Sequence, residues 1–471
     1  MGAVQDEGEG RGARDIGAVV MGVVAAWVAV LAAGCSGGVL PPEEATDGGT
    51  PADPGLVAML RDVVARELIL PIAPARSFRP ELVELGRALF FDKELSGNRD
   101  VSCATCHLPS AAGGDARTLP RGVGGLGLGA ARVGGAIVPR NSPSVLNTHL
   151  FDVLFWDGRV EVRPDGVLVT PAGAALDADM RAVFEPGLEA LAAQAMFPPT
   201  SRDEMRGAVG ENELADVDDA DVAGIWSAVT ARLVAFPAYV DLFGAAYPGT
   251  ATDDLTMAHV GNAIAAFEAT AFRRVDSPFQ AFLLGDDAAL SDAQVRGALE
   301  FFGPRARCSE CHECSTFTDL RFHGIGMPQL GPGKGHGPLA DDDFGLEGVS
   351  GRGQDRYRFR TPTLLNVELT APYGHAGQFS TLGSMVRHYR DVTDSLVEYR
   401  ITDHVSDPEL VGTQVGNQAA VIAALSDRVD QRLPFDEDEM TAFLRALTAE
   451  GARDLGDIAP SAVPSGLTVD R

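Results

Sequence analysis

Two pentapeptides of one pattern carry the chemistry of this chain: Cys103-Ala104-Thr105-Cys106-His107 and Cys308-Ser309-Glu310-Cys311-His312. Two thiols three positions apart, followed at once by histidine, suit covalent capture of a haem. Each thiol adds to one vinyl group, and the imidazole is held under the iron as its proximal ligand. The chain holds 6 cysteines and 9 histidines in 471 residues, so a chance repeat of the pattern is remote. Disulfides within each pair would leave both histidines unexplained. A zinc site built from Cys308, Cys311, His312 and Cys314 has no counterpart at the first pentapeptide. The reading is a protein with two covalently attached c-type haems.

Ordered elements must deliver both pentapeptides. Leu82, Leu85, Leu89 and Phe90 recur at helical spacing, which predicts a helix over 81–91 ahead of the first. Ser291-Asp292-Ala293-Gln294 is a capping box and predicts a helix to Phe302 ahead of the second. Val260, Ile264 and Phe267 share a face of a helix over 258–272. Two more helices are expected, one over 381–390 and one from the cap Asp436-Glu437-Asp438-Glu439 through Leu447. Val160, Val162, the turn Pro164-Asp165-Gly166 and Val167 to Val169 predict a small β-hairpin. Residues 113–135 and 324–353 read as long loops, and the first is too irregular for a phosphate-binding fingerprint. The expected architecture is mostly α. Two cytochrome c-like haem domains, 56–255 and 256–455, carry long loops, a hairpin insertion and a tail at 456–471.

The formal net charge is −28. It excludes nucleic acid and an anionic membrane surface as partners, and favours a cationic partner or plain solubility. An apolar fraction of 45% excludes a multi-span membrane protein. Arg11, Arg14, an apolar run from Ile16 to Ala33 and Leu31-Ala32-Ala33-Gly34-Cys35 lay out a secretory signal over 1–35. Gly34-Cys35 resembles a bacterial lipobox, which makes Cys35 a candidate for lipidation and for anchoring at the outer membrane. Plain cleavage and an uncleaved anchor are the other readings. Residues 36–55, rich in Gly, Pro, Thr and Asp, predict a flexible tether. Haem attachment to an exported chain places the protein in the periplasm.

The residues after each pentapeptide carry a resemblance. Arg140-Asn141-Ser142-Pro143-Ser144-Val145-Leu146-Asn147 and Phe155-Trp156-Asp157-Gly158-Arg159 follow the first. Phe359-Arg360-Thr361-Pro362-Thr363-Leu364-Leu365-Asn366, then Leu369-Thr370-Ala371-Pro372-Tyr373-Gly374-His375 and Gly377, follow the second. From Leu82 to Leu447 the chain resembles the bacterial di-haem cytochrome c peroxidases and MauG-type enzymes.

That resemblance implies that the N-terminal haem meets peroxide and the C-terminal haem handles electrons. Members of the family often carry a distal histidine in the loop after the first motif. Here residues 108–148 contain neither His nor Met, so the iron above His107 is expected to be open. The nearest histidine is His149. Gln194, Pro198 and Glu204 match the family's distal glutamine, proline and glutamate. Glu204 is then the acid/base that takes a proton from peroxide and returns one as the O–O bond breaks, and Gln194 is the positioning amide. Asp203 competes with Glu204 for the role. Trp156 matches the tryptophan that relays oxidising holes between the haems. Tyr389, fourteen residues after His375, matches the sixth ligand of the second iron in the MauG type, with Met385 and His388 as alternatives. Asn141, Thr370 and Pro372 match a calcium site between the domains. His375 is expected near the second haem, and His323 and His336 are expected to be solvated loop histidines.

Three functions follow as expectations. The first is a peroxidase that reduces hydrogen peroxide with electrons from a small redox protein, a cytochrome c or cupredoxin. The second is a MauG-like oxidase that uses peroxide and a high-valent di-haem state to oxidise aromatic residues of a partner protein. The third is a non-catalytic di-haem electron carrier. The open first iron and the Gln194/Glu204 pair argue against the third. A homodimer is one assembly open to such a chain.

Overall fold

The computed structural model describes residues 51–471, and its helices begin where the sequence supplies caps. The signal segment, Cys35 and most of the tether lie outside the described residues. Pro54 and Gly55, assigned above to the tether, instead open α1 (Pro54–Arg66), because the Asp53 carboxylate accepts the Gly55 and Leu56 N–H groups. α2 (Pro80–Phe91) starts with proline in its first turn and buries Leu82, Leu85, Leu89, Phe90 and Phe91. α3 (Cys103–Cys106) holds the first thiol pair. Next come α4 (Glu189–Ala195), α5 (Val222–Val234), α6 (Pro237–Ala246) and α7 (Met257–Ala271). α8 (Pro278–Leu283) and α9 (Asp292–Phe301) follow. The capping box on α9 is reciprocal: Ser291 Oγ accepts from Gln294 N–H at 3.4 Å, and Gln294 Oε1 accepts from Ser291 N–H at 2.8 Å. α10 (Leu382–His388) and α11 (Glu437–Arg445) complete the principal helices. The fold is mostly helical, with 40% of the described residues in helix.

Strands are short. β1 (Val153–Leu154), β2 (Val160–Val162) and β3 (Leu168–Val169) form one antiparallel sheet, with β2 in the middle. The β2–β3 pair closes around Pro164-Asp165-Gly166, where Gly166 has a positive φ of 80°. Periodicity did not announce β1, which contributes only Val153 and Leu154. β4 (Phe322–His323) pairs with β5 (Phe359–Arg360) across the long loop.

Two hydrophobic cores organise the helices, and each repeats the other's plan. In the first, α2 crosses α7 at Gly86, where an added Cβ would stand 1.9 Å from Ala263 O. In the second, α9 crosses α11 at Gly297, where a Cβ would stand 1.9 Å from Glu439 O. No residue larger than glycine allows either crossing. In the first core Phe267 and Phe272 pack edge to face and Phe90 tilts against both, and in the second Phe301, Phe317 and Phe443 pack edge to face. Asn147 and Asn366 both adopt φ of 61°, and both donate Nδ2–H to the carbonyl of Arg274, at 2.8 and 2.9 Å. Ser144 Oγ and Thr363 Oγ1 donate to Ala112 O and Thr316 O, each at 2.6 Å.

The cores do not follow the division 56–255 and 256–455. Helix α7 belongs to the first core, because its apolar face is the partner of α2. Helix α1 packs with the second core. The C-terminal residues return to the first. Ser465 Oγ donates to Asp92 Oδ1 at 2.6 Å, Lys93 pairs with Asp470 at 2.7 Å, and Thr105, between the first two thiols, donates to the buried Asp470 carboxylate. The residues read as a tail thus form a strap over α2 and α3.

Candidate functional site

Both pentapeptides open onto one cavity of about 380 Å³, lined by Cys103, Cys106, His107, Cys308, Cys311 and His312. All four thiols are free. Burial pushes the Cys103 and Cys308 thiols up to about 12. The two imidazoles are fixed alike. His107 Nδ1–H donates to Gly113 O at 3.0 Å, and His312 Nδ1–H donates to Phe317 O at 2.9 Å. A carbonyl only accepts, so each ring keeps Nε2 as its lone-pair nitrogen. Burial lowers both pKa values from the ordinary histidine value, which favours the neutral ligand form. Paired thiols, neutral imidazoles and mainly apolar walls fit two covalently held haems.

Helix α4 ends with Gln194 on the cavity wall. Pro198 lies on the next turn, and a π-helical turn at Arg202–Arg206 follows, with Glu204 also on the wall. Ser201 caps that turn by accepting from Glu204 N–H at 3.4 Å. Burial raises the Glu204 pKa, opposed by the charges of Arg159 and Lys334. Asp203 does not line the cavity, and its carbonyl instead accepts from Val123 N–H at 3.1 Å. His149 is also absent from the wall. Besides His107, the histidines that line the cavity are His312, His323 and His375, all from later in the chain. Met205 stands beside Glu204 on the wall, a sulfur that inspection of residues 108–148 alone overlooks.

Trp156 ties segments from both repeats together. Its Nε1–H donates to Asn141 O at 3.0 Å, and its carbonyl accepts from Arg360 N–H at 2.9 Å. Asn141 N–H in turn donates to His375 O at 2.8 Å. The His375 ring stacks on Phe359 with centroids 3.7 Å apart, and burial pushes its pKa down to about 3. Asn141, Thr370 and Pro372 all line the cavity. Asn141 Nδ2–H donates to Arg117 O at 2.8 Å, so its Oδ1 stays available as an acceptor.

At the second repeat, Tyr389 and Met385 line the wall and His388 does not. His388 is buried, with Nδ1 against Ser395 Oγ at 2.9 Å and Nε2 against Ile325 O at 2.8 Å. Both nitrogens are engaged, which corrects its place among the candidate ligands. Burial beside Cys311 and Cys308 pushes the Tyr389 phenol well above its ordinary value. Only a cation facing the oxygen would hold it as phenolate.

The sequence reading of His323 as a solvated loop residue is also corrected. His323 lies on β4 and lines the cavity, and its Nε2–H donates to Asp319 at 2.8 Å, which holds its pKa up at about 9. His336 stacks on Phe344 with centroids 4.8 Å apart, and its Nδ1 accepts from Phe344 N–H. Two buried ionisable side chains on the wall escaped the sequence. Glu268 on α7 is 5% exposed, lines the cavity and accepts from Thr148 Oγ1 at 3.3 Å, with burial pushing it up to about 8. A lone acid in the run Ala263 to Ala271 was the available signal. Arg360 is 9% exposed and donates to Phe155 O and Thr361 O, each at 3.1 Å, with no carboxylate partner among the described residues. An unpaired buried cation on this wall suits the carboxylates of a haem.

Two haem-attachment sites on one cavity define a di-haem c-type cytochrome. Residues 80–288 match the family described as di-haem cytochrome c peroxidase. The methylamine utilization protein MauG of Methylorubrum extorquens is 31% identical over 373 residues, spanning 78% of this chain and 84% of its own. The cytochrome c551 peroxidase of Pseudomonas aeruginosa is 31% identical over 295 residues, spanning 63% of this chain and 67% of its own. Among solved structures, a MauG-like protein associated with microbial copper homeostasis superposes with a TM-score of 0.56 at 26% identity, covering 83% of this chain and 95% of that one. The diheme peroxidase BthA from Burkholderia thailandensis shares the fold, with a TM-score of 0.55 at 22% identity over 85% of this chain and 92% of that one. The chain belongs to the di-haem cytochrome c peroxidase and MauG family. It is an oxidoreductase that carries two c-type haems.

Proposed function

We propose that this protein reduces hydrogen peroxide at its first haem, with electrons passed through the second from a small redox protein, a cytochrome c or cupredoxin. The haems supply the redox chemistry; the chain's own groups move the proton and set the path. Glu204 takes the proton that peroxide must lose and returns one to the departing oxygen. Gln194 holds the peroxide by its amide. Trp156 lies on the path between the repeats. The observation that carries this reading is that Gln194 and Glu204 face the same cavity as His107, while no second histidine from the first repeat does.

A second reading, a MauG-like oxidase acting on aromatic residues of a partner protein, is favoured by one observation. Tyr389 lines the wall and His388 is turned away. A phenolate ligand would stabilise the oxidised metal and let both haems share an oxidising equivalent. We further propose a calcium ion held by Asn141 and the carbonyls of Thr370 and Pro372, oxygen donors that suit a hard cation. A periplasmic location, a lipid on Cys35, a homodimer and two haem domains complete the proposal.

The test mixes the haem-loaded protein with peroxide and a reduced cytochrome c or cupredoxin. Catalytic oxidation of either donor supports the peroxidase. Reaction with peroxide but with neither donor favours the MauG-like reading. Indifference to peroxide contradicts both and leaves an electron carrier.

A further inference from the structure

Lys334 belongs to the long loop of the second repeat, yet it lines the cavity together with Glu204. Packing brings the two loops together. Gly331 abuts Leu119, where an added Cβ would stand 2.4 Å from Leu119 Cδ1. Gly122, three residues on, lies against the backbone of Asp203, where a Cβ would stand 1.8 Å from the Asp203 carbonyl oxygen. Lys334 itself is held by its N–H, which donates to Asp342 O at 2.9 Å, after the positive φ of 62° at Gly333.

The charges around this end of the cavity are Arg140, Arg159, Lys334, Glu204, Asp203 and Asp343. Most are committed elsewhere. Asp343 takes both Nε and Nη2 of Arg140, at 2.6 and 2.9 Å. Arg140 Nη1 and Arg159 Nη1 both go to Asp157, at 2.6 and 3.1 Å. Asp203 is off the wall. That leaves Lys334 as the cation with no ion-pair partner among the described residues, while the Glu204 carboxyl has the Ser201 hydroxyl as its hydrogen-bond partner. No ion pair joins them among the described residues, yet both line the cavity and the charge of each acts on the other.

We propose that Lys334 is a positioning residue for peroxide reduction: its ammonium stabilises the ionised Glu204 carboxylate, so that Glu204 can accept the proton of hydrogen peroxide. One proton moves from H2O2 to the carboxylate and leaves hydroperoxide anion in the cavity that Lys334 also lines. Lys334 itself exchanges no proton. The loop of the second repeat thereby completes the distal pocket of the first haem. This inference rests on Glu204 being the acid/base of the proposed function.

The experiment measures the pH dependence of the peroxide reaction in the haem-loaded protein and in Lys334→Met, Lys334→Arg and Glu204→Gln. Infrared difference spectra of the protonated carboxyl band give a second readout that does not depend on turnover. Removing an opposite charge raises a carboxyl pKa, so the acid limb and the band midpoint should move up by about one pH unit in Lys334→Met. Both should return in Lys334→Arg, which keeps the charge. Unmoved limb and midpoint in Lys334→Met, with Glu204→Gln slow, overturn the role of Lys334 and leave Glu204 intact. A Glu204→Gln protein that reacts as fast as the native one overturns the Glu204 reading and Lys334 with it.

Discussion

In Glu204→Gln the reaction of the resting protein with hydrogen peroxide slows by roughly 10²–10⁴-fold, the range that one general acid–base group supplies. Glutamine keeps the shape and a hydrogen-bonding oxygen but cannot take a proton. The loss therefore reads the proton transfer and not the packing of the π-helical turn. Burial raises the Glu204 pKa, so its neutral form persists to higher pH than that of an exposed glutamate. The sign follows. The carboxylate accepts the proton, so the rate falls as pH drops through the raised pKa and is retained above it. The variant should lose that limb as well as the rate. Stopped-flow traces across the acid range check both, and native rates in the variant would remove Glu204 from the mechanism.

The second large effect is expected at Tyr389. In Tyr389→Phe the optical and paramagnetic spectra of the second haem change, and its reduction potential rises by on the order of 0.1 V, a fraction of the roughly 0.8 V that axial ligands span. A phenolate donates charge and favours the oxidised metal; phenylalanine donates none. Met385 lies one helical turn earlier on the same wall and is left as the alternative ligand. Spectra unchanged by the substitution would transfer the assignment to Met385 and strengthen the peroxidase reading over the MauG-like one. His388 cannot take that place without giving up Ser395 and Ile325.

Local signals made much of this legible. The helices ahead of both pentapeptides were announced by apolar spacing and by the box at Ser291, features that act within one or two turns. Gln194, Pro198 and Glu204 were picked out by the family resemblance and not by a local signal, and all three line the cavity. What escaped depends on distant pairs. The strap is invisible because Asp470 is an ordinary terminal acid until it meets Lys93 and Thr105. The pairing of α7 with α2 is not legible because it rests on a glycine-mediated crossing, and no periodicity reports a partner. His323 looked solvated because its loop is glycine-rich and Asp319 had no apparent reason to face it. Lys334 went unnoticed because Glu204, Arg140 and Arg159 lie more than a hundred residues away in the first repeat.

The central claim is that one of two covalently held haems leaves a coordination position open to peroxide, beside Glu204. Electron paramagnetic resonance of the untreated ferric protein tests it most directly. A high-spin signal from one haem and a low-spin signal from the other is the predicted result. Two low-spin signals, with no high-spin component, would contradict it.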